Sequence, residues 1–279
     1  DRVVPPADLA RPPVLPCAQA GLWCVPGRGM VSVVRRRADR PGRRRRFAAN
    51  GGPGMIDRDP ARGYRLSADG LPDWLDPIAT SIAKVHGSDL TRFLPPVEGA
   101  RPSAVLMLLG DGPDLLVIER AHDMSLHSGQ PAFPGGALEA MDADPIEAAL
   151  REATEETGLD VGGVVPFAVL PDLWVPVSNY IVTPVIAWWR EPSAVHAADP
   201  REVASVHRIP IRQFADPDRR VRVRHPSGYV GPGFDVAGLR VWGFTAGLVS
   251  GLLDLAGWSQ PWDERRVVDL NSPLVVDER

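Results

Sequence analysis

Three glutamates stand within five residues of one segment. Glu152, Glu155 and Glu156 follow Arg151 in the run REATEETGL. Carboxylates at helical neighbour spacings repel one another and disfavour the helix unless a cation offsets them. Mg²⁺ takes oxygen ligands and commonly combines one or two carboxylates with substrate phosphates. The spacing therefore indicates a divalent-metal site, and a solvated acidic helix face is the alternative.

A helix must position these carboxylates, and residues 135–159 read as loop, helix and loop. Asp144 suits the N-cap, Pro145 the first helical position, and Glu147 completes a capping-box arrangement. Gly158 offers a stop. At about 100° per residue, the packing side of this helix gathers Ile146, Ala149, Leu150, Ala153 and Thr157. The sequence thus predicts a helix with one packed face and another that carries the glutamates.

The run from Arg151 to Leu159 resembles the second half of the Nudix hydrolase box, with Ala153 at its aliphatic position. Upstream, five residues separate Gly136 from Asp142, where the general box has Glu. Eight residues rather than seven separate that acid from Arg151. Both departures resemble the coenzyme A pyrophosphatase branch of the family.

Motifs outside the box support the same branch. The segment before the box resembles the corresponding segment of that branch in three places: Arg120-Ala121, LHSGQ (residues 126–130) and FPGG (133–136). PVSNYIVTP (176–184) resembles a strand that follows it, and VWGFTA (241–246) resembles the start of a late helix. The resemblance spans roughly residues 75 to 258, and its motifs agree in order.

This resemblance implies an α/β (α+β) fold, a Nudix-like α/β/α sandwich with a mixed sheet. It implies cleavage of the diphosphate of coenzyme A and acyl-coenzyme A to 3′,5′-ADP and (acyl-)4′-phosphopantetheine. Another nucleoside diphosphate derivative, ADP-ribose or NADH, is the alternative substrate. A binding module that keeps the fold without hydrolysis is the alternative class. Family members are often dimers, so a homodimer is possible.

The implied cofactor is Mg²⁺ or Mn²⁺. Glu152 and Glu156 are expected to be the main ligands of the metal. Glu155 is expected to be a third ligand or the general base, and a carbonyl at Gly136 is expected to face the metal. Asp142 is expected to pair with Arg151 and brace the loop. The residues assigned to catalysis are Arg151, Glu152, Glu155 and Glu156. The residues assigned to substrate binding are Arg120, His127, Gly129, Gln130, Phe133 and Gly135. Taken singly, a Pro-Gly-Gly is often a plain turn and a lone histidine often a loop residue.

Apolar runs at 104–109 and 115–118 flank Gly110-Asp111-Gly112-Pro113 and predict a hairpin. Further strands are expected over residues 164–170, 181–189, 202–209, 220–224 and 239–242, with a closing helix over 244–255. Pro/Gly-rich segments at 190–200 and 225–233 read as insertions near a site. Trp174, Trp188 and Trp189 can stack on adenine but fit core positions better.

Composition divides the chain at about residue 70. Residues 1–60 hold 12 Arg against 5 Asp, a formal +7, in a chain whose net charge is −4. Such a Pro/Gly-rich segment predicts disorder, and a basic linker fits better than a nucleic-acid arm because no aromatics interleave with the arginines. The expected organisation is an extension over 1–70, a Nudix domain over 71–260 and a tail over 261–279.

No apolar run approaches the 18 or so residues of a membrane span, and no secretory signal pattern is visible at the start. A cytoplasmic protein without membrane partners is therefore expected. Cys17 and Cys24 provide neither a zinc site nor a disulfide framework.

Overall fold

The structure, a computed structural model, describes residues 57–59, 63–66, 68–90, 99–122 and 128–275. The cysteines and both arginine clusters lie outside these stretches, so the predictions made for them concern other parts of the chain. The described end of the N-terminal extension contains two strands, β1 (Asp57–Asp59) and β2 (Gly63–Arg65), which pair antiparallel. No helix in the described residues is long and apolar enough to cross a membrane.

The larger sheet has eight strands within the described residues. They are β3 (Arg101–Gly110), β4 (Asp114–Arg120), β5 (Pro131–Ala132), β6 (Gly135–Ala137), β7 (Val164–Val169), β8 (Leu173–Val175), β9 (Tyr180–Trp189) and β10 (Val203–Pro210). The order β10-β4-β3-β9-β7 runs across it, with β5, β6 and β8 attached to β4, β3 and β9. β3 and β9 are parallel and the other neighbours antiparallel. The expected mixed sheet and the β3–β4 hairpin are confirmed.

Helices cover both faces of this sheet. The α-helices are α1 (Asp76–Ser81), α2 (Gly87–Leu90), α3 (Pro145–Thr157), α4 (Ile211–Ala215) and α5 (Gly243–Leu255). Single 3₁₀ turns cover Asp73–Leu75, Ile82–Lys84 and Val161–Gly163. Residues 73–90 thus form a series of short helical turns that includes α1 and α2.

Strand β3 shows why the fold has three layers, because successive side chains of a strand point to opposite faces. Ala104, Leu106 and Leu108 belong to the core under α3. Met107 and Leu109 belong to the other core, which contains the apolar side of α5. The α/β/α arrangement follows from this alternation.

A second sheet has the order β13-β12-β11-β14. Its strands are β11 (Arg220–Arg224), β12 (Val230–Val236), β13 (Leu239–Trp242) and β14 (Val267–Asp269). Phe234, Val236 and Val241 join the core on the α5 side. β11 and β13 have the predicted bounds.

Strand β12 corrects the interpretation of residues 225–233 as an insertion. Only 225–229 form the turn, and Val230–Val236 pairs with both β11 and β13. Two glycines and a proline at 231–233 are unusual inside a strand and hid it. Gly233 has a packing reason, since a Cβ there would lie 2.3 Å from a methyl of Val223.

The expected C-terminal tail contributes to this sheet as well. β14 pairs in parallel with β11, and Arg240 Nη1 donates to the carbonyls of Asp269, Leu270 and Ser272. Three residues, VVD, are too short a pattern to predict a strand from sequence. The folded part of the chain therefore continues past residue 260, at least to Val275, whose N–H donates to Asp235.

Candidate active site

The ends of helix α3 form as their residues dictate. The Asp144 carboxylate accepts from the N–H groups of Ile146 (2.8 Å) and Glu147 (3.0 Å), which satisfies two of the free donors at the helix start. The Glu147 carboxylate reaches back to the N–H of Ala143 at 2.6 Å. Gly158 ends the helix with φ of +66°, a conformation that glycine adopts without steric cost. These local interactions fix where the glutamates point.

The three glutamates do not share one solvated face. The Glu155 side chain is 58% exposed, that of Glu152 15%, and that of Glu156 3%. The sequence pattern assigned all three to a face separate from the packing side, but Glu156 turns inward against the β6 backbone. The exposure of the three carboxylates thus decreases from Glu155, in solvent, through Glu152 to Glu156, in the interior.

Arg151 links this acidic helix to the loop before it. Its Nε and Nη2 both lie 3.0 Å from the two oxygens of Asp142, so the predicted pair is confirmed. Nη1 lies 3.0 Å from Glu152 Oε1 and 3.2 Å from Glu155 Oε2. The hydrogen bonds from Arg151 hold the pKa of Asp142 below its usual value, and those to Asp142 raise the pKa of Arg151. One guanidinium therefore braces the loop and separates two carboxylates.

Glu156 occupies the most unusual environment of the group. Its Oε2 accepts from the N–H of Gly135 at 3.0 Å, and its Oε1 lies 3.8 Å from Nη1 of Arg120. Burial raises the pKa of Glu156 to about 8, although the Gly135 N–H and Arg120 oppose the rise. Burial likewise raises the pKa of Glu152, against the effect of Arg151. Strongly shifted groups that cluster in this way are typical of functional sites.

Two glycines bring the β6 backbone against this cluster. A Cβ at Gly135 would lie 2.3 Å from the carbonyl oxygen of Ala104, and a Cβ at Gly136 would lie 2.3 Å from Oε1 of Glu152. Any larger residue at 136 would push the Glu152 carboxylate away. The glycine therefore allows the carboxylate and the backbone to share one small space.

The donor set suits a hard divalent cation, since it consists of carboxylate oxygens beside a glycine backbone. Among the described residues no three acidic or histidine side chains already converge closely enough to hold an ion. The reason is visible in the contacts: Arg151 Nη1 occupies the position between Glu152 and Glu155. For all three glutamates to hold an ion, the exposed Glu155 side chain would have to rotate and Glu156 would have to lose its proton. The residues fit a metal ion under these two conditions.

The residues predicted to bind substrate fall into three groups. Arg120 and Gly135 contact Glu156 directly, as described above. Gly129 and Gln130 border β4, because the Gln130 carbonyl accepts from the N–H of Arg120 at 3.1 Å. Phe133 is 4% exposed in the core on the α5 side, so the structure does not place its ring where a substrate can reach it. His127 lies outside the described residues.

Glu202 belongs to the site although no sequence pattern singled it out. Its carbonyl accepts from the N–H of Ala121 at 2.8 Å, which fixes it next to Arg120. Its negative charge contributes to the raised pKa of both Glu152 and Glu156. Nothing local marks a glutamate 46 residues after the last one of the box, so only the tertiary structure reveals it.

The loop before β10, read as an insertion near a site, caps helix α3. The N–H of His196 donates to the carbonyl of Thr157, and that of Ala198 to the carbonyl of Glu156, both at 3.0 Å. These bonds satisfy carbonyls that a helix end leaves free. The loop thereby fixes the last turn of the helix, which carries Glu155 and Glu156.

Two of the separated motifs meet in space. Thr245, in the first turn of α5, donates from Oγ1 to the carbonyl of Pro131 at 3.1 Å. The late motif therefore supports the segment that precedes the box. The tryptophans behave mostly as core residues: Trp189 is fully buried, and Trp188 donates to Asp111 at 3.1 Å.

A family model described as NUDIX domain matches residues 100–227. The chain belongs to the Nudix hydrolase family, which confirms the expectation of an enzyme that acts on diphosphate bonds. A relative from Enterobacter sp. (strain 638), named an uncharacterized Nudix hydrolase NudL, is 37% identical over 162 residues, which cover 55% of this chain and 81% of the relative. A NudL of the same description from Pectobacterium atrosepticum is 39% identical over 131 residues, 44% of this chain and 67% of the relative.

Among solved structures, a Nudix hydrolase from M. smegmatis, RenU, has a TM-score of 0.41 and 19% identity, and the match covers 60% of this chain and 92% of that one. A bifunctional NMN adenylyltransferase/ADP ribose pyrophosphatase from Francisella tularensis, complexed with AMP and a manganese ion, has a TM-score of 0.32 and 20% identity over 41% of this chain and 35% of that one. Similarity at this level says nothing about the substrate of this chain.

Proposed function

We propose that the protein is a metal-dependent pyrophosphohydrolase that cleaves coenzyme A and acyl-coenzyme A. The products are 3′,5′-ADP and 4′-phosphopantetheine, acylated where the substrate was. Family membership supports the reaction class. The choice of substrate is supported by two resemblances to the coenzyme A pyrophosphatase branch. One is that of the flanking motifs, and the other is that of the box itself, in which Asp142 replaces the usual glutamate. The late motif also contacts the segment that precedes the box, through the hydrogen bond from Thr245 to the carbonyl of Pro131.

The observation that carries the chemistry is the environment of Glu156. A buried carboxyl with a pKa of about 8 is costly to ionise without a cation. Glu152 and the Gly136 backbone stand beside it. A bound Mg²⁺ or Mn²⁺ supplies charge stabilisation and an activated water for attack on phosphorus. Glu152, Glu156 and Glu155, with the Gly136 carbonyl, are the groups we assign to hold that ion.

The remaining residues have positioning and charge roles in this proposal. Arg120, at the end of β4, places a cation beside Glu156, and we assign it to bind a phosphate oxygen there. Arg151 orients Glu152 and Glu155 and ties the box loop to the helix through Asp142. Gly129 and Gln130 border the substrate next to Arg120. Each role follows from a contact described above, and each is a proposal for mutagenesis.

Mass-resolved hydrolysis tests the function. The full-length protein is incubated separately with coenzyme A, ADP-ribose and NADH, with Mg²⁺, with Mn²⁺ and with chelator. We expect metal-dependent release of 4′-phosphopantetheine, with the other two substrates slow. Faster turnover of ADP-ribose or NADH would keep the chemistry and contradict the substrate. No turnover of any of them, together with binding of one, would favour the binding-module alternative.

A further inference from the structure

Glu119, Ser205 and His207 form a hydrogen-bonded cluster where β4 and β10 lie side by side. Ser205 Oγ lies 2.8 Å from Glu119 Oε2 and 2.7 Å from His207 Nε2. A hydroxyl donates one hydrogen bond and accepts others, whereas a carboxylate only accepts. Ser205 therefore donates to Glu119 and accepts from the Nε2–H of His207. Ser205 thus orients the Glu119 carboxylate, and His207 orients Ser205.

The second oxygen of Glu119 is left to other partners. Nε2 of His122 lies 3.6 Å from this oxygen, Oε1, beyond hydrogen-bond distance. Among the described residues no side chain donates a hydrogen bond to this oxygen. The Glu119 side chain is 22% exposed, so a ligand can reach it. The cluster thus presents one oriented acceptor at the surface.

This acceptor borders the proposed substrate segment. Glu119 lies opposite Pro131 in the β4–β5 pairing. Gly129 packs on His122 so closely that a Cβ would lie 2.8 Å from Nδ1 of the imidazole. The backbone of residues 129–131 therefore lies beside both Glu119 and His122.

The neighbouring residue decides which part of a substrate reaches Glu119. Arg120 follows directly and approaches Glu156 at 3.8 Å, and successive strand residues point to opposite faces. At the end of β4, Arg120 therefore lies on the side of Glu156, and Glu119 lies on the opposite face of the strand. Phosphate groups are repelled by an anion. The substrate part at Glu119 must therefore lack phosphate and carry hydrogen-bond donors, such as hydroxyl or amide N–H groups.

We propose that Glu119 is a specificity residue that accepts hydrogen bonds from the neutral, hydroxyl- and amide-bearing arm of the substrate. Ser205 and His207 are positioning residues that hold its carboxylate. The inference rests on the proposed function, in which that arm is pantetheine and the nucleotide half carries an extra phosphate. It adds a means to discriminate between substrates, because the box residues are assigned to the metal ion and the diphosphate, which all the candidate substrates share.

The two products separate the halves of the substrate and serve as probes. Inhibition constants of 4′-phosphopantetheine and of 3′,5′-ADP are measured with full-length wild type and Glu119→Gln. Loss of a charged hydrogen-bond acceptor predicts a rise of about tenfold in the constant for 4′-phosphopantetheine. The KM for coenzyme A rises similarly, whereas kcat and the constant for 3′,5′-ADP stay within about twofold of wild type. Equal changes for both products, or a change for 3′,5′-ADP alone, would overturn the inference.

Ser205→Thr and Ser205→Val provide a matched pair that differs only in the hydroxyl. We expect Val to reproduce the Glu119→Gln effect in part and Thr to restore wild-type constants. Ser227→Ala is the distant control, because Ser227 Oγ also bonds a histidine, His225, at 2.8 Å. Equal constants for Thr and Val would contradict the positioning role of Ser205.

The same experiment distinguishes the two proposals. A wild type that does not hydrolyse coenzyme A contradicts the proposed function and the inference built on it. A wild type that does, with Glu119→Gln unchanged towards 4′-phosphopantetheine, contradicts only the inference.

Discussion

Two arginine–aspartate pairs with the same geometry serve different ends in this molecule. Arg240 binds Asp235 in the second sheet through Nε and Nη2, each at 2.8 Å. Arg151 binds Asp142 beside α3 through the same two atoms, each at 3.0 Å. Both aspartate side chains are 1% exposed. The pairs differ in what surrounds them.

The remaining donors of Arg240 meet neutral oxygens. They reach the Ser272 hydroxyl and the carbonyls of Asp269, Leu270, Ser272 and Pro273. The remaining donors of Arg151 meet two more carboxylates, Glu152 and Glu155, and a carbonyl. Around Arg240 the charges balance, whereas around Arg151 one cation serves three anions. The first pair fastens the C-terminal segment, and the second leaves an excess of negative charge that a metal ion would neutralise.

Replacing the two arginines tests this difference most strongly. Arg240→Met leaves a buried aspartate without its partner, and we expect a loss of about 3–5 kcal/mol in the free energy of unfolding. Urea unfolding with and without Mn²⁺ measures it. The variant should keep the Mn²⁺ affinity and kcat of wild type at temperatures where it is folded.

Arg151→Met should lose a comparable amount in chelator because Asp142 is equally buried. Saturating Mn²⁺ should then restore part of the lost free energy of unfolding, because the metal binds only the folded state and replaces the missing cation at Glu152 and Glu155. Equal responses of the two variants to Mn²⁺, each referred to wild type, would contradict the comparison.

The pKa of Glu156 predicts a pH-dependent stability. Its folded pKa, about 8, lies above the ordinary value of 4.5, so the stability it contributes is present below pH 4.5 and lost as the pH rises towards 8. Glu156→Gln does not titrate. In chelator, we expect the free energy of unfolding of the variant to increase relative to that of wild type between pH 5 and pH 8, by up to roughly 3 kcal/mol. Urea unfolding at pH 5, 6.5 and 8 measures the gain, and a difference that stays constant with pH would refute the assignment.

The gradient of exposure along α3 predicts unequal roles for its outer carboxylates. Glu152→Gln should lower kcat/KM about a hundredfold or more, as expected for loss of a group that acts on the reacting charge. Glu155→Gln should lower kcat/KM by only about tenfold, because its exposed side chain makes it the weakest of the three assigned ligands. Steady-state kinetics at saturating Mg²⁺ checks the ranking. A reversed order would indicate that Glu155, not Glu152, performs the inner role.

Glu202 should have the smallest effect. Glu202→Gln removes a negative charge that raises the pKa values of Glu152 and Glu156, so the pH midpoint of Mn²⁺ binding should move down by less than about one unit. Glu191→Gln, an exposed glutamate on the loop between β9 and β10, is the control and should leave the midpoint in place. An upward shift in Glu202→Gln would show that Glu202 acts mainly as a ligand.

Sequence reasoning succeeded where structure is local. Asp144, Pro145 and Gly158 set the ends of α3 through interactions within a few residues, and the strands β11 and β13 follow simple apolar patterns. The pairing of Asp142 with Arg151 was also predictable, because both residues flank one helix turn and loop. These features need no knowledge of the rest of the chain.

It failed where distant parts of the chain meet. Glu156 is buried because β6 passes against α3, and the helix pattern alone does not reveal that this strand lies there. Glu202 joins the site through the register of β10 on β4. Phe133 was assigned to the substrate from its motif, yet its ring fills the core on the α5 side. Strand β12 was hidden by its glycines and proline, of which Gly233 is required by the close approach of Val223 on the neighbouring strand.

Titration of metal-free, full-length protein with Mn²⁺, followed by electron paramagnetic resonance of the free ion, tests the central claim that α3 and β6 form a divalent-cation site. Wild type should bind Mn²⁺ more tightly as the pH rises from 6 to 8, since Glu156 must lose its proton. Glu156→Gln should bind at least about tenfold more weakly at pH 8 and lose that pH dependence, whereas Arg240→Met should match wild type. Equal Mn²⁺ affinity in wild type and Glu156→Gln at pH 8 would contradict the account.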